Sequence, residues 1–116
     1  QANLKEIGID MKIETLEWGT YLQKTAQGEH SSFTRWLGIC TSDADIVFFP
    51  LLHSSSHGGA GNRAFYTNKE LDKVIEEARL TSDSAERKAL FFKGQEILQE
   101  DAPFGLLLYK NGKYWS

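Results

Sequence analysis

Asp43 and Asp45 stand two residues apart in the turn Ser42-Asp-Ala-Asp45, directly ahead of an apolar run. Paired carboxylates at such a place can do acid/base work, ligate a metal or meet a ligand ammonium. Equally, either can cap the following segment and sit in water. His53 and His57 are four apart, a spacing that joins two metal ligands on a helix, but Ser54-Ser-Ser56 and Gly58-Gly59 read as loop. No third ligand is near in sequence, so no metal is expected. Ser56-His57 sets a hydroxyl beside a base without a Gly-x-Ser-x-Gly elbow, and no catalytic residue is assigned. Gly58-Gly-Ala-Gly61 lacks the Lys-Ser/Thr ending of a phosphate loop, so no nucleotide cofactor is expected. Trp18, Trp36, Phe65 and Tyr66 can wall a pocket with flat apolar rings or fill a core.

The elements that must carry these groups follow from periodicity. Residues 1–7 read as a helix stopped by Gly8, with no N-cap signal ahead of it, as expected of a piece cut from a longer chain. Ile9, Met11 and Ile13 alternate with Asp10, Lys12 and Glu14, the pattern of a strand with one buried face. A helix is expected over 17–26, ended by Gln27-Gly28, and a second, aromatic-rich strand over 32–39. Strand, helix, strand implies a crossover and an α/β sheet. The run 46–52 is too short to classify, with Asp43 or Asp45 placed to cap a short helix there. Thr67-Asn-Lys-Glu70 has the capping-box pattern and opens a helix with the stripe Leu71, Val74, Ile75 and Ala78. Asp83-Ser-Ala-Glu86 opens another that reaches about Asp101, with Leu90, Gly94, Ile97 and Leu98 on one face and Phe92 opposite. Residues 104–109 read as a buried strand.

At 116 residues, 41% apolar and 25% charged, the chain fits a single domain, 1–116, with a real core. Its net charge is -3 and its cations are scattered, so nucleic acid is not an expected partner. The longest apolar run is far too short to span a bilayer. Cys40 is the lone cysteine, which excludes an internal disulfide and leaves the redox compartment unread.

Six stretches in collinear order, Gln1-Ala-Asn-Leu-Lys-Glu-Ile-Gly-Ile, Leu16-Glu-Trp-Gly-Thr-Tyr-Leu, Ser42-Asp-Ala-Asp45, Pro50-Leu-Leu-His-Ser54, Gly61-Asn-Arg-Ala-Phe-Tyr-Thr-Asn68 and Glu100-Asp-Ala-Pro103, resemble the family 5 extracellular solute-binding proteins. These are the dipeptide, oligopeptide and nickel receptors of ABC importers. The resemblance implies a C-terminal fragment of the second lobe of a type II periplasmic-binding-protein-like fold, a small mixed sheet flanked by helices. It further implies an extracytoplasmic substrate-binding component, with no enzymatic step, that closes on a peptide and serves a membrane permease.

The resemblance also distributes roles. Trp36 matches a Trp that lines the pocket, and an acidic residue shortly after it pairs with the peptide α-amino group. Many peptide receptors carry that Asp three positions after the Trp, where this chain has Ile39, so Asp43 and then Asp45 become the candidates. Asn62 and Arg63 match a loop near the ligand side, where Arg63 meets a carboxylate or braces the lobe. Trp18 completes the expected ligand-binding set. Alternatives are a non-peptide ligand (nickel chelate, haem, glutathione or sugar), a small hydrolase using Asp43, Asp45 and His57, and self-association through exposed aromatic ends.

Overall fold

Short-range capping chemistry sets where each helix starts and stops. In a computed structural model that describes residues 2–30 and 43–104, the described elements are α1 (Ala2–Glu6), α2 (Trp18–Gln27), α3 (Asp45–Leu52), α4 (Lys69–Leu80) and α5 (Ser84–Asp101). Two 3₁₀ turns, Ser54–Ser56 and Gly58–Ala60, lie between α3 and α4. The Glu17 carboxylate opens α2 by accepting from the backbone N–H of Gly19 and Thr20 at 2.8 and 3.2 Å. Gly28 ends it in the left-handed region at φ 76°. Asp83 caps α5 through the N–H groups of Ala85 and Glu86. At α4 the cap is Asn68, whose Oδ1 accepts from Glu70 and Leu71, one residue beyond the Thr67 that the capping-box pattern points to.

The expected α4 stripe of Leu71, Val74, Ile75 and Ala78 is buried throughout. Its Leu71, Ile75 and Ala78 meet Phe48 and Leu52 of α3 and Phe91 of α5 in the core. Phe48 and Phe91 are tilted rings with centroids 5.1 Å apart, a pairing worth about 0.5–1.5 kcal/mol beyond the area it buries. Gly94 makes room for this contact: a Cβ there would stand 2.7 Å from Phe48 Cε1. Leu90, Ile97 and Leu98 pack around the core, and Phe92, expected on the other side of α5, is 52% exposed.

The Ile9-to-Ile13 strand does not form. Those residues carry no helix or strand, and Ile9, Met11 and Ile13 are 49%, 37% and 64% exposed. A strand exists through ladder bonds to a neighbour; the second expected strand, 32–39, and nearly all of the third, 104–109, lie outside the described residues. The expected small mixed sheet therefore has no strand among the described residues, where the isolated parallel bridge His57 to Asn62 is the β-type pairing.

That bridge organises the glycine-rich loop. Asn62 is fully buried; its Nδ2 donates to the carbonyls of His53 and Tyr66 at 3.2 and 2.8 Å, and its Oδ1 accepts from Tyr66 N–H at 3.2 Å. Gly58 and Gly61 have φ of 73° and 146°, and a Cβ on them would run into the carbonyl oxygens of Ala26 and Pro50. The glycines thus let the loop lie against α2 and α3. Beyond the loop, the Tyr66 hydroxyl donates to Asp101 Oδ2, which also accepts from Asn68 Nδ2 at 2.7 Å, tying the entry of α4 to the end of α5.

Two outcomes are expected. Gly61→Ala should lower urea-unfolding stability by about 2 kcal/mol or more, while Gly59→Ala, whose Cβ meets nothing within 4 Å, should stay within about 0.5 kcal/mol. Equal effects would remove the close-approach explanation. Burial, and next the Asp101 hydrogen bond, push the Tyr66 phenol from near 10 up to about 12. Since the folded value is raised, its stabilisation is complete below pH 10 and is lost as pH rises through about 12. Unfolding midpoints measured across that window should fall more steeply for wild type than for Tyr66→Phe.

Candidate functional site

The acidic turn opens α3, and both of its carboxylates are engaged within the chain. Asp43 Oδ1 accepts from the Asp45 N–H at 2.9 Å, satisfying one of the unpaired donors at the helix start. Arg87 of α5 reaches the same side chain, with Nη2 at 2.9 Å from Oδ1 and 3.3 Å from Oδ2. Arg87 is itself fixed: its Nε donates to the Ala78 carbonyl in the last turn of α4 at 3.0 Å, and its guanidinium carbon lies 5.0 Å from the Phe91 ring centroid. The Asp45 N–H foremost, and then Arg87, hold the Asp43 carboxyl below its usual range.

Asp45 pairs with a second arginine. Its Oδ2 is 3.5 Å from Arg79 Nε, and the Arg79 guanidinium stands over the Phe49 ring at 3.9 Å. The other oxygen, Oδ1, is shut off from solvent and has no hydrogen-bond partner among the described residues. Half-exposed ion pairs of this kind contribute about 0–1 kcal/mol each, so their main effect is to orient the turn against α4 and α5. Neither arginine carries a sequence signal beyond being a cation near a helix end.

Asn62 and Arg63 act on the other side of the loop. Asn62 is spent on the backbone bonds described above. Arg63 Nη1 donates to the Leu22 carbonyl at 2.8 Å and to Thr25 Oγ1, and the Thr25 hydroxyl in turn donates to the Tyr21 carbonyl at 2.8 Å. Arg63 therefore ties the loop to α2. Trp18, at the start of α2, is 67% exposed and stacks on Tyr21 with centroids 5.3 Å apart. Trp36 and Cys40 lie outside the described residues.

The histidines are also committed. His57 Nε2 is 3.0 Å from the Tyr66 carbonyl and 3.1 Å from Thr67 Oγ1. A carbonyl only accepts, so Nε2 carries the proton. His57 is held there and Asp43 is held by Arg87, and the hydrogen bond from the Asp45 N–H to Asp43 Oδ1 within the Asp43, Asp45 and His57 hydrolase grouping is the one that opens α3. His53 is buried in a network that sequence reading missed: its Nδ1 accepts the Ser55 N–H at 3.1 Å, and its Nε2 faces Glu76 Oε1 at 3.3 Å. Asp72 accepts from both the N–H and the hydroxyl of Ser54 at 2.9 and 2.6 Å. This network pins the Ser54–Ser56 turn to α4. Among the described residues no group of three His, Cys, Asp or Glu is placed to hold a metal ion, and no helix is long and apolar enough to cross a membrane.

Comparison with known proteins adds a consistent set of relatives. No family model matches the chain. Di/tripeptide-binding protein 4 of Pseudomonas aeruginosa (strain UCBPP-PA14) is 34% identical over 110 residues, which is 94% of this chain and 20% of that protein. The dipeptide-binding protein of Escherichia coli (strain K12) is 31% identical over 104 residues, 89% of this chain and 19% of the relative. The probable D,D-dipeptide-binding periplasmic protein DdpA of the same strain is 32% identical over 114 residues, 96% of this chain and 22% of the relative.

Among solved structures, the ABC transporter-associated periplasmic binding protein DppA from Helicobacter pylori, in complex with peptide STSA, superposes with a TM-score of 0.80 at 40% identity. That match covers 89% of this chain and 20% of the other. The chain spans about one fifth of the length of the relatives it matches. Sequence and backbone together place it among the family 5 extracellular solute-binding proteins, as a segment of that length.

Proposed function

We propose that the chain is part of the second lobe of a substrate-binding component of an ABC importer, whose parent protein captures short peptides between two lobes outside the cytoplasm. The parent hands them to a membrane permease and catalyses no reaction. One observation carries this reading: the collinear match over about nine tenths of the chain to proteins named for binding di- and tripeptides, one of them solved with a peptide bound. The commitment of Asp43 to Arg87 and of His57 to the Tyr66 carbonyl supports a binding role over a hydrolytic one.

Within that reading the small mixed sheet completes when Ile9, Met11 and Ile13, apolar and exposed on alternate positions, find ladder partners. Trp36 supplies the apolar wall of the peptide site, with Trp18 as a second aromatic surface. Asp43, Asp45, Asn62 and Arg63 complete the ligand-binding set, each of them also paired inside the chain. Half of a two-lobed site lacks the opposing wall and the closure that excludes water, so it binds poorly by itself.

Calorimetry on the full-length parent should give about micromolar or tighter binding of a tripeptide, weakened by about tenfold or more in Trp36→Ala. The 116-residue chain alone should bind at least about 100-fold more weakly. Tight binding by the isolated chain would refute the two-lobe reading. Heat with a nickel chelate or a sugar and none with peptides would move the ligand outside the peptide class, and ester turnover abolished by Asp43→Asn would replace the receptor with a hydrolase.

A further inference from the structure

We infer that His53 is a proton-operated cap: when its ring takes up a proton, the backbone N–H of Ser55 is released and the Ser54–Ser56 turn loosens, while α3 stays docked on α4. The inference goes beyond the receptor reading and does not depend on it. Histidine is the side chain that ordinarily changes charge between pH 5 and 8, and this one is enclosed by its own chain, with 8% of the side chain exposed.

In the arrangement described the ring is neutral. Nδ1 accepts the Ser55 N–H at 3.1 Å and so caps the 3₁₀ turn, which leaves the ring proton on Nε2, facing Glu76 Oε1 at 3.3 Å. The Ser55 hydroxyl stands 2.7 Å from the same Nδ1. A hydroxyl can donate or accept, whereas a backbone N–H only donates. A proton taken from solvent onto Nδ1 makes that nitrogen a donor. Ser55 Oγ can turn its hydrogen away and accept the new bond, but the Ser55 N–H then faces another donor and has to leave.

The surroundings hold the charged ring where it is. From α4, Glu76 Oε1 and Asp72 Oδ1 lie 3.3 and 3.9 Å from Nε2, and a buried cation persists when it is paired in this way. From α3, Phe49 stacks on the ring with centroids 4.8 Å apart. Arg79 of α4 lies over that same Phe49 and is paired with Asp45, and the loop brings only the Asn62 amide, to the His53 carbonyl. The effect is passed along the backbone: the Ser56 N–H donates to the His53 carbonyl at 3.0 Å, and the Ser56 carbonyl accepts the Asn62 N–H at 2.8 Å. A turn freed at Ser55 is a looser support for the glycine-rich loop.

The test is amide hydrogen exchange at Ser55 in the full-length parent at about pH 8 and about pH 5, expressed as protection relative to an unstructured chain so that the intrinsic pH dependence cancels. Protection is expected to be about fivefold lower at the acid end in wild type and equal at both ends in His53→Asn, whose side-chain oxygen caps without taking up a proton. Ser55→Ala, at an exposed position, removes the hydroxyl that accepts from the charged ring, so the midpoint of the loss should move to lower pH. Equal protection at both ends in wild type, the same loss in His53→Asn, or an unmoved midpoint in Ser55→Ala overturns the inference. Where His53→Asn does not fold, Ser55→Ala decides.

Discussion

The seating of Phe48 over Gly94 is the contact on which the described structure turns. Beyond Asp45, α3 is apolar around its whole circumference and contains Pro50, so neither amphipathicity nor propensity tells it where to lie. The ring of Phe48 decides, because α5 offers a place without a Cβ and the neighbouring Phe91 offers an edge. Burying a side chain of that size contributes about 1.5–3 kcal/mol. Once it is in place, the start of α3 falls within reach of arginines on two other helices, and its end delivers His53 into the polar network on α4.

The polar contacts are secondary to that seat but divide the surface into two assemblies. On one side, Asp43 and Asp45 are drawn to Arg87 and Arg79, which combine a carboxylate partner with an aromatic face. On the other, Arg63 and Asn62 bind backbone carbonyls and hold the glycine-rich loop to α2 and to its own neck. These four side chains thus sit on two different supports. Planar, multi-donor side chains suit both tasks, since they satisfy several acceptors from one anchored position.

What could be read from the chain depended on the range of the interaction. α4 and α5 were legible because their stripes and caps are local: Leu71 to Ala78 repeats at helical spacing, and Asp83 caps within three residues. The α4 cap moved from Thr67 to Asn68, where the amide both caps and reaches Asp101, a partner far away in sequence. α3 stayed ambiguous because its helix is settled by packing. The Ile9, Met11 and Ile13 alternation yields no strand among the described residues, because a strand is a property of a pair and its expected partners lie outside them. The site was the least legible part: carboxylates with a helix behind them were visible, whereas the arginines that claim them become neighbours only after α3 docks.

Asn62 and its flanking glycines have a bearing on how such a chain can diverge. The side-chain amide closes a ring that runs from His53 through the loop to Tyr66, while Gly58 and Gly61 are pressed against carbonyls of two different helices. Exposed Gly59 and Ala60 lie between those fixed points. The loop is therefore open to exchange of residues at its tip and closed to change of length: one residue added or removed would carry Asn62 off its three bonds. Variation in this region should accumulate as new side chains on a constant frame.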